Sequence, residues 1–290
     1  MKILLLGKNG QLGQSLQHSL ALLGDVVSLG RQDVDLREEK RLISLLHAHK
    51  PDVIVNAAAY TDVDGAERDP ETAAAVNAKA PGFLAREAAG IGALLVHYST
   101  DYVFDGSGNA PWTEEDVPAP LGVYGRTKWE GDQAVQSSGC TYLILRSGWI
   151  YAAAAGRNFI RSILRAERQG GDLCVVGDQI GTPTDAKFLA QVTVRAIKEV
   201  RAIPEKAGLY HLCADGYVSR FDYAAYVLEA AGLSAARLQK VSSSEMPLIA
   251  PRPLNCRLSC RKFQDIFEIE LPDWRAGVCA TTQEILEGLS

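Results

Sequence analysis

The chain opens on Lys2-Ile3-Leu4-Leu5-Leu6, in which Ile3 to Leu6 form an unbroken aliphatic run. Such a run predicts a strand covered on both faces, as in a parallel sheet. Leu12, Leu16, Leu20 and Leu23 follow at helical spacing. The pattern then repeats. Val26 to Leu29, Asp52 to Asn56, Ala93 to Tyr98 and Thr141 to Leu145 read as further short apolar strands, the last ending at Arg146. Helical stretches separate them. One runs from Arg37 to His49 and stops at Lys50-Pro51. Another starts at Asp69-Pro70, with Asp69 as N-cap and Pro70 at the first position, and continues through Val76, Asn77, Ala80, Leu84 and Ala88. Pro81 inside it marks a kink or an interruption. Leu121 starts a third helix after a Gly-, Pro- and acid-rich loop from Gly106 to Pro120. Strand and helix in alternation predict an α/β fold with a doubly wound parallel sheet of Rossmann type.

From Gly148 the rhythm changes. Short strands at Leu173 to Val176 and Leu209 to Cys213 are mixed with helices that begin near Asn158, run from Asp185 to Val200 and run from Phe221 to Ala231, the last with Ser219 as candidate cap. The expectation is a dinucleotide-binding domain over residues 1–147, rejoined by about residues 185–212. Residues 148–184 and 213–290 then form a smaller C-terminal α/β substrate lobe.

Composition narrows the function more than the fold. The chain has 290 residues, 47% hydrophobic and 22% charged, with net charge -5. The charge balance and the lack of a basic cluster argue against nucleic acid or an anionic membrane as partner. Gly7 and Lys8 end the N-terminal apolar run far short of a secretory h-region, and no apolar stretch reaches the ~20 residues of a membrane span. Cys140, Cys174, Cys213, Cys256, Cys260 and Cys279 form no C-x-x-C pair. They are expected to be reduced thiols of a cytoplasmic protein, although Cys256 and Cys260 are spaced closely enough to share a metal.

The candidate chemistry lies at the strand ends. Gly7-Lys8-Asn9-Gly10-Gln11-Leu12-Gly13 joins the first strand to the first helix. Glycines there allow a tight turn and close backbone approach to a pyrophosphate seated on the helix N-terminus. The second strand ends at Gly30-Arg31, where a glycine leaves room and an arginine can meet a ribose 2'-phosphate. That favours NADPH. Asp33 and Asp35 follow closely, which keeps NADH open, and Asp35-Leu36 suits the adenine edge. Small residues Ala57-Ala58-Ala59 before Tyr60-Thr61 let a cofactor approach the third strand. The fourth strand delivers Tyr98-Ser99-Thr100-Asp101. Tyr124 and Lys128, four apart, share one helix face. An ammonium beside a phenol favours the phenolate, and a tyrosine that titrates near pH ~10 needs such help to act near neutrality. By itself this spacing is more often a pair of surface residues.

The glycine loop, Tyr98-Ser99-Thr100-Asp101-Tyr102-Val103-Phe104 and Tyr124-Gly125-Arg126-Thr127-Lys128 together resemble the extended short-chain dehydrogenase/reductases. Arg146-Ser147-Gly148-Trp149, Gly181-Thr182-Pro183-Thr184 and Arg252-Pro253 extend the likeness, over nearly the whole chain, to the dTDP-4-dehydrorhamnose reductase branch. The resemblance implies hydride transfer from NADPH to C4 of dTDP-4-dehydro-L-rhamnose, giving dTDP-L-rhamnose. Tyr124 would donate the proton, Lys128 would bind the nicotinamide ribose, and Thr100 would orient the reacting oxygen. Gly7, Gly10, Gln11, Leu12, Gly13, Ala59, Tyr60, Thr61 and Tyr98 would line the cofactor. Asp101, Trp149, Asn158 and Arg252 would meet the substrate. Without the resemblance, Asp101 reads equally as a turn cap and Trp149 as a core anchor. Some members of the family dimerise through a glutamate-built magnesium site. This chain has Ser15 and Lys187 there, so no metal is expected and monomer and homodimer both stay open.

Two other readings fit parts of the pattern. Epimerases and dehydratases of nucleotide sugars keep the Tyr-x-x-x-Lys pair, but dehydratases usually add an acidic pair where this chain has Asp101 alone. The regulatory subunit of methionine adenosyltransferase resembles the same branch and acts as a binding partner. Thr100, Tyr124 and Lys128 together favour an enzyme.

Overall fold

The computed structural model describes residues 1–154, 156–246 and 248–288. Ala155, within the alanine-rich stretch after Tyr151, lies outside them. The chain begins β1 (Lys2–Leu6), α1 (Gln11–Leu20), β2 (Asp25–Leu29), α2 (Glu39–His49), β3 (Val53–Asn56), α3 (Val63–Arg68) and α4 (Pro70–Ala74). One π turn, Ala75–Lys79, leads into α5 (Ala80–Ile91), followed by β4 (Leu94–Thr100), α6 (Val123–Gln136) and β5 (Tyr142–Ser147). Then come β6 (Ile150–Tyr151), α7 (Phe159–Gln169), β7 (Leu173–Val176), β8 (Ile180–Gly181), β9 (Thr184–Asp185), α8 (Ala186–Ala202) and β10 (Gly208–His211). The chain closes with β11 (Val218–Ser219), α9 (Arg220–Ala230), β12 (Leu238–Val241), α10 (Arg261–Phe267) and α11 (Trp274–Glu287).

Six strands pair in the order β10-β5-β4-β3-β1-β2, and every pairing is parallel. This is the doubly wound sheet that the apolar runs predict. Period-two alternation sends Ile3 and Leu5 to one face, with Val53, Val55, Val96 and Leu145, against α1, α8 and α10. Leu4 and Leu6 go to the other, with Ile54, Leu95 and Ile144, against α2 and α5. Because both faces are covered, the strands are mainly apolar, and the buried polar residues His97, Ser99, Thr100, Arg146 and Ser147 fall towards the carboxyl ends of β4 and β5. The strand order reverses between β1 and β3, where open α/β sheets bind ligands at the carboxyl ends of their strands.

A separate core holds the C-terminal part. α7, α9 and α11 pack Ile160, Leu164, Val227, Leu228 and Val278 around Tyr151, Tyr223 and Trp274. Its sheets are small: β7 with β12 in parallel, β6 with β9 in parallel, and β8 with β11 antiparallel. β10 belongs instead to the main sheet, beside β5.

Several boundaries follow from identifiable caps. Asp69 accepts from Thr72 N, with Pro70 at the helix start, and Ser219 accepts from Asp222 N. The interruption expected at Pro81 takes a specific form. Pro81 has no N–H to donate to Asn77 O, its i−4 carbonyl, and it sits in the first turn of α5, where that loss is harmless. The chain passes from α4 to α5 through the π turn. Helix α6 begins at Val123 rather than Leu121, since Gly122 is still extended.

Candidate active site

A cleft of about 590 Å³ runs along the carboxyl ends of the strands. At one end is the β1–α1 turn. Gly7 has φ of +91°, and a Cβ there would lie 2.7 Å from Ala58 N. A Cβ on Gly13 would lie 2.0 Å from Gly7 O, so only glycine lets α1 approach the turn this closely. Gly13 therefore sets the helix position and does not line the cleft, whereas Gly7, Gly10, Gln11 and Leu12 do. The resulting cradle of bare backbone at a helix N-terminus fits a dinucleotide pyrophosphate.

At the end of β2 the charges sort themselves. Asp33 accepts from Gly30 N at 2.8 Å and pairs with Lys8 at 2.7 Å. Asp35 is gripped by Arg37, whose Nη2 lies 2.7 Å from Oδ2 and whose Nε lies 3.0 Å from Oδ1. The Arg37 hydrogen bonds hold the Asp35 carboxyl down at about 2. Both acids are thus engaged. The Arg31 side chain is 79% exposed, with only a 3.9 Å contact to Asp35, and it lines the cleft. An exposed cation with only a long contact to an engaged carboxylate suits a 2'-phosphate better than a 2'-hydroxyl. Leu36 lines the same end.

Ala59, Tyr60 and Thr61 form the cleft floor after β3. Their loop is fixed by Asn77, which accepts from Tyr60 N at 2.8 Å and donates to Tyr60 O at 3.0 Å. Asn77 also donates to Thr127 Oγ1, tying this loop to α6. The π turn carries Asn77, and π turns recur at functional sites.

The far end gathers Tyr98, Thr100, Asp101, Tyr124, Lys128 and Trp149 in one lining. Lys128 is buried, donates to Tyr98 O at 2.6 Å and lies 3.3 Å from His97 Nε2. Burial pulls its ammonium down to about 8, opposed by the charge of Asp132. Thr100 Oγ1 donates to Asp101 Oδ1 at 2.9 Å. Burial raises the Asp101 carboxyl above its ordinary range. The Tyr98 hydroxyl is bonded to Thr193 Oγ1 at 2.7 Å, on the side of α8.

The expected easing of the Tyr124 proton by Lys128 is corrected here. The ring stands half-buried in the cleft wall, and desolvation pushes its phenol up to about 12, with Thr100 opposing. The donor bonds of Lys128 go to Tyr98 O and towards His97 instead. A phenol that keeps its proton is ready to act as a donor.

Beneath Lys128 lies a buried polar cluster that motif reading passed over. Asp132 takes a 3.0 Å bond from Arg146 Nε and a 2.9 Å bond from Ser99 Oγ, and its other oxygen is 4.0 Å from His97. Asn56 Nδ2 stands 3.2 Å from His97 Nδ1. The signal available in sequence was Asp132 at i+4 from Lys128.

Asn158 and Arg252 are not in the lining. Asn158 caps α7 and donates to Gln11 Oε1 and Ala152 O, so it braces the glycine turn. Arg252 pairs with Asp64 at 3.1 Å. Arg220, from the start of α9, lines the cleft beside Trp149. Lys187 is paired with Glu284 at 2.5 Å, and Ser15 donates to Gln11 O. Among the described residues no cluster of His, Cys, Asp or Glu could hold a metal, and no helix is long and apolar enough to cross a membrane.

A doubly wound sheet, a glycine cradle and a threonine, tyrosine and lysine gathered in one cleft define a nicotinamide-dependent oxidoreductase of the short-chain dehydrogenase/reductase type. Residues 1–287 match the family described as RmlD substrate binding domain. The chain is 42% identical to the dTDP-4-dehydrorhamnose reductase of Escherichia coli (strain K12), over 98% of each chain. A solved dTDP-4-dehydrorhamnose reductase from Clostridium acetobutylicum superposes with a TM-score of 0.90 at 33% identity, covering 100% of this chain and 99% of that one. That from Bacillus anthracis, in complex with NADP, gives 0.89 at 29% identity over 98% and 99%. The chain belongs to the dTDP-4-dehydrorhamnose reductase family.

Proposed function

We propose that this chain reduces the C4 keto group of dTDP-4-dehydro-L-rhamnose with NADPH, giving dTDP-L-rhamnose and NADP+. One observation carries the reading. Tyr124, Thr100 and Lys128 meet at one end of a cleft whose other end is a phosphate cradle, in a chain that matches curated reductases along its full length.

When bound, the reduced nicotinamide supplies a hydride to C4 of the sugar. The protein's own part is to hold, orient and protonate. Tyr124, which keeps its proton at neutral pH, gives it to the oxygen on C4 as that oxygen gains charge. Thr100 turns its hydroxyl from Asp101 to the same oxygen and fixes its direction. Lys128, anchored on Tyr98 O, presents its remaining donor to the nicotinamide ribose. Gly7, Gly10, Gln11 and Leu12 hold the pyrophosphate, and Arg31 reads the 2'-phosphate. Asp35, Leu36, Ala59, Tyr60 and Thr61 line the cofactor. Asp101 and Trp149 belong to the substrate end, while Asn158 acts at the cofactor end by bracing Gln11, and Arg252, paired with Asp64, stands outside the lining.

The same proposal takes residues 1–147 with about 185–212 as the cofactor domain, and 148–184 with 213–290 as the substrate lobe. It places the enzyme in the cytoplasm, as a monomer or homodimer without a magnesium link. The test is product analysis. Purified protein, NADPH and dTDP-4-dehydro-L-rhamnose generated in situ should give dTDP-L-rhamnose by chromatography. NADPH binding with no such product would sink the assignment.

A further inference from the structure

Three cations line the cleft: Arg31, Lys128 and Arg220. Two already have work. Arg31 stands after β2, and Lys128 is bonded beneath Tyr124. Arg220 has none. Among the described residues its guanidinium makes no ion pair and no hydrogen bond. It stands over aromatic rings instead, with its central carbon 3.6 Å from the Trp149 ring centroid and 5.1 Å from that of Phe159.

The indole is itself held in place. Trp149 has φ of +46°, a backbone state that bulky residues avoid and that persists only where surrounding contacts impose it. The edge of its indole lies over Gly181, where a Cβ would come within 2.7 Å. A guanidinium stacked on a fixed indole keeps its edge N–H groups free and pre-aimed, which is how arginine meets a planar oxyanion.

Position selects the oxyanion. Trp149 follows β5, and β5 is four strand spacings from β2 and three from β1. At ~4.8 Å per spacing that is roughly 19 Å and 14 Å across the sheet. The 2'-phosphate end beside Arg31 is thus beyond a stacked side chain, and Arg220 shares its lining with Thr100 and Asp101; the chain after Trp149 returns to the glycine turn, where Ala152 N donates to Gln11 Oε1. Arg252 has a carboxylate partner in Asp64, and Arg220 has none. Asp101 lies near Arg220 at the same end of the cleft.

We propose that Arg220, stacked on Trp149, grips a phosphate oxygen of the substrate's nucleoside diphosphate and so sets the distance between the diphosphate and Tyr124. This rests on reading the substrate as a nucleoside-diphosphate sugar. Arg220 acts here as a binding residue and takes no part in proton transfer.

The test uses the intact protein saturated with NADPH and compares dTDP with thymidine as inhibitors. Arg220→Met should weaken dTDP at least tenfold and thymidine less than twofold. It should raise KM for the keto sugar at least tenfold, with kcat within about threefold and NADPH affinity unchanged. Arg220→Lys keeps the charge but loses the fork, and should fall between. Equal weakening of dTDP and thymidine, or no weakening of either, overturns the proposal. Should the Met variant fail to bind NADPH, the Lys variant decides alone: dTDP weakened with thymidine unaltered supports the phosphate contact, and any other pattern overturns it. Wild-type turnover with an unaltered variant rejects Arg220 only. A wild-type protein that neither turns over the keto sugar nor binds dTDP rejects the functional reading, and this proposal with it.

Discussion

Tyr124 and Lys128 show how one helix face yields two opposite shifts from one cause. Desolvation favours the neutral form of each, so the phenol rises to about 12 and the ammonium falls to about 8. For a reductase both directions help, because the donor stays protonated and the ammonium remains charged at neutral pH. Tyr124→Phe should lower kcat by about 10²-fold or more, with NADPH affinity within twofold, as judged by steady-state kinetics and a fluorescence titration. Turnover should fall as pH rises through about 8, where Lys128 loses its proton. Asp132→Asn removes the charge that holds this ammonium up, so the falling limb should move to lower pH. An unmoved limb in that variant would show that another group titrates. Arg31→Asp should lower the NADPH-to-NADH ratio of kcat/KM by roughly tenfold or more, about the worth of one charge-assisted hydrogen bond. An unchanged ratio would show that Arg31 points away from the cofactor. Residue types and strand ends were enough to single out Arg31, because a β2 terminus is a known meeting place with the ribose. The engagement of Asp33 by Lys8 and of Asp35 by Arg37 was not legible, since both depend on how the loop after β2 folds back.

The glycine turn and α1 act as one element. Alanine at position 13 would gain about 1 kcal/mol in helix propensity but would drive a methyl onto Gly7 O. The clash should dominate, costing about 1–3 kcal/mol net and weakening NADPH binding. Thermal denaturation should show Tm lowered by several degrees, and a Gly13→Ala protein with unchanged Tm and NADPH affinity would contradict this. Elements like β1 were readable because burial on both faces leaves no choice of residue. The passage from α4 to α5 was readable only in part. Pro81 announced an interruption, but the π turn that aims Asn77 at Tyr60 and Thr127 depends on the packing of α6, where Gly131 lies against the Asn77 carbonyl.

Across the whole molecule, the cleft combines residues that sequence cannot pair. Arg220 lies 71 positions after Trp149, as their numbers show, in a segment with no motif of its own. The cluster of Asp132, Arg146, Ser99 and His97 likewise draws on α6, β5 and β4. Parallel pairing of β4 with β5 sets Ser99 opposite Arg146, and that register makes the cluster possible. Local patterns announce a dinucleotide fold, while the far end of the cleft is assembled by tertiary contacts between the main sheet and the C-terminal core. The central claim, hydride delivery to C4 with protonation from Tyr124, is tested most directly by isotope transfer. NADPH carrying deuterium at both C4 positions of its nicotinamide should place one deuterium on C4 of the rhamnosyl product, as read by NMR, and Tyr124→Phe should form that product at least 10²-fold more slowly. Label at any other carbon, or unlabelled product at full rate, would contradict the account.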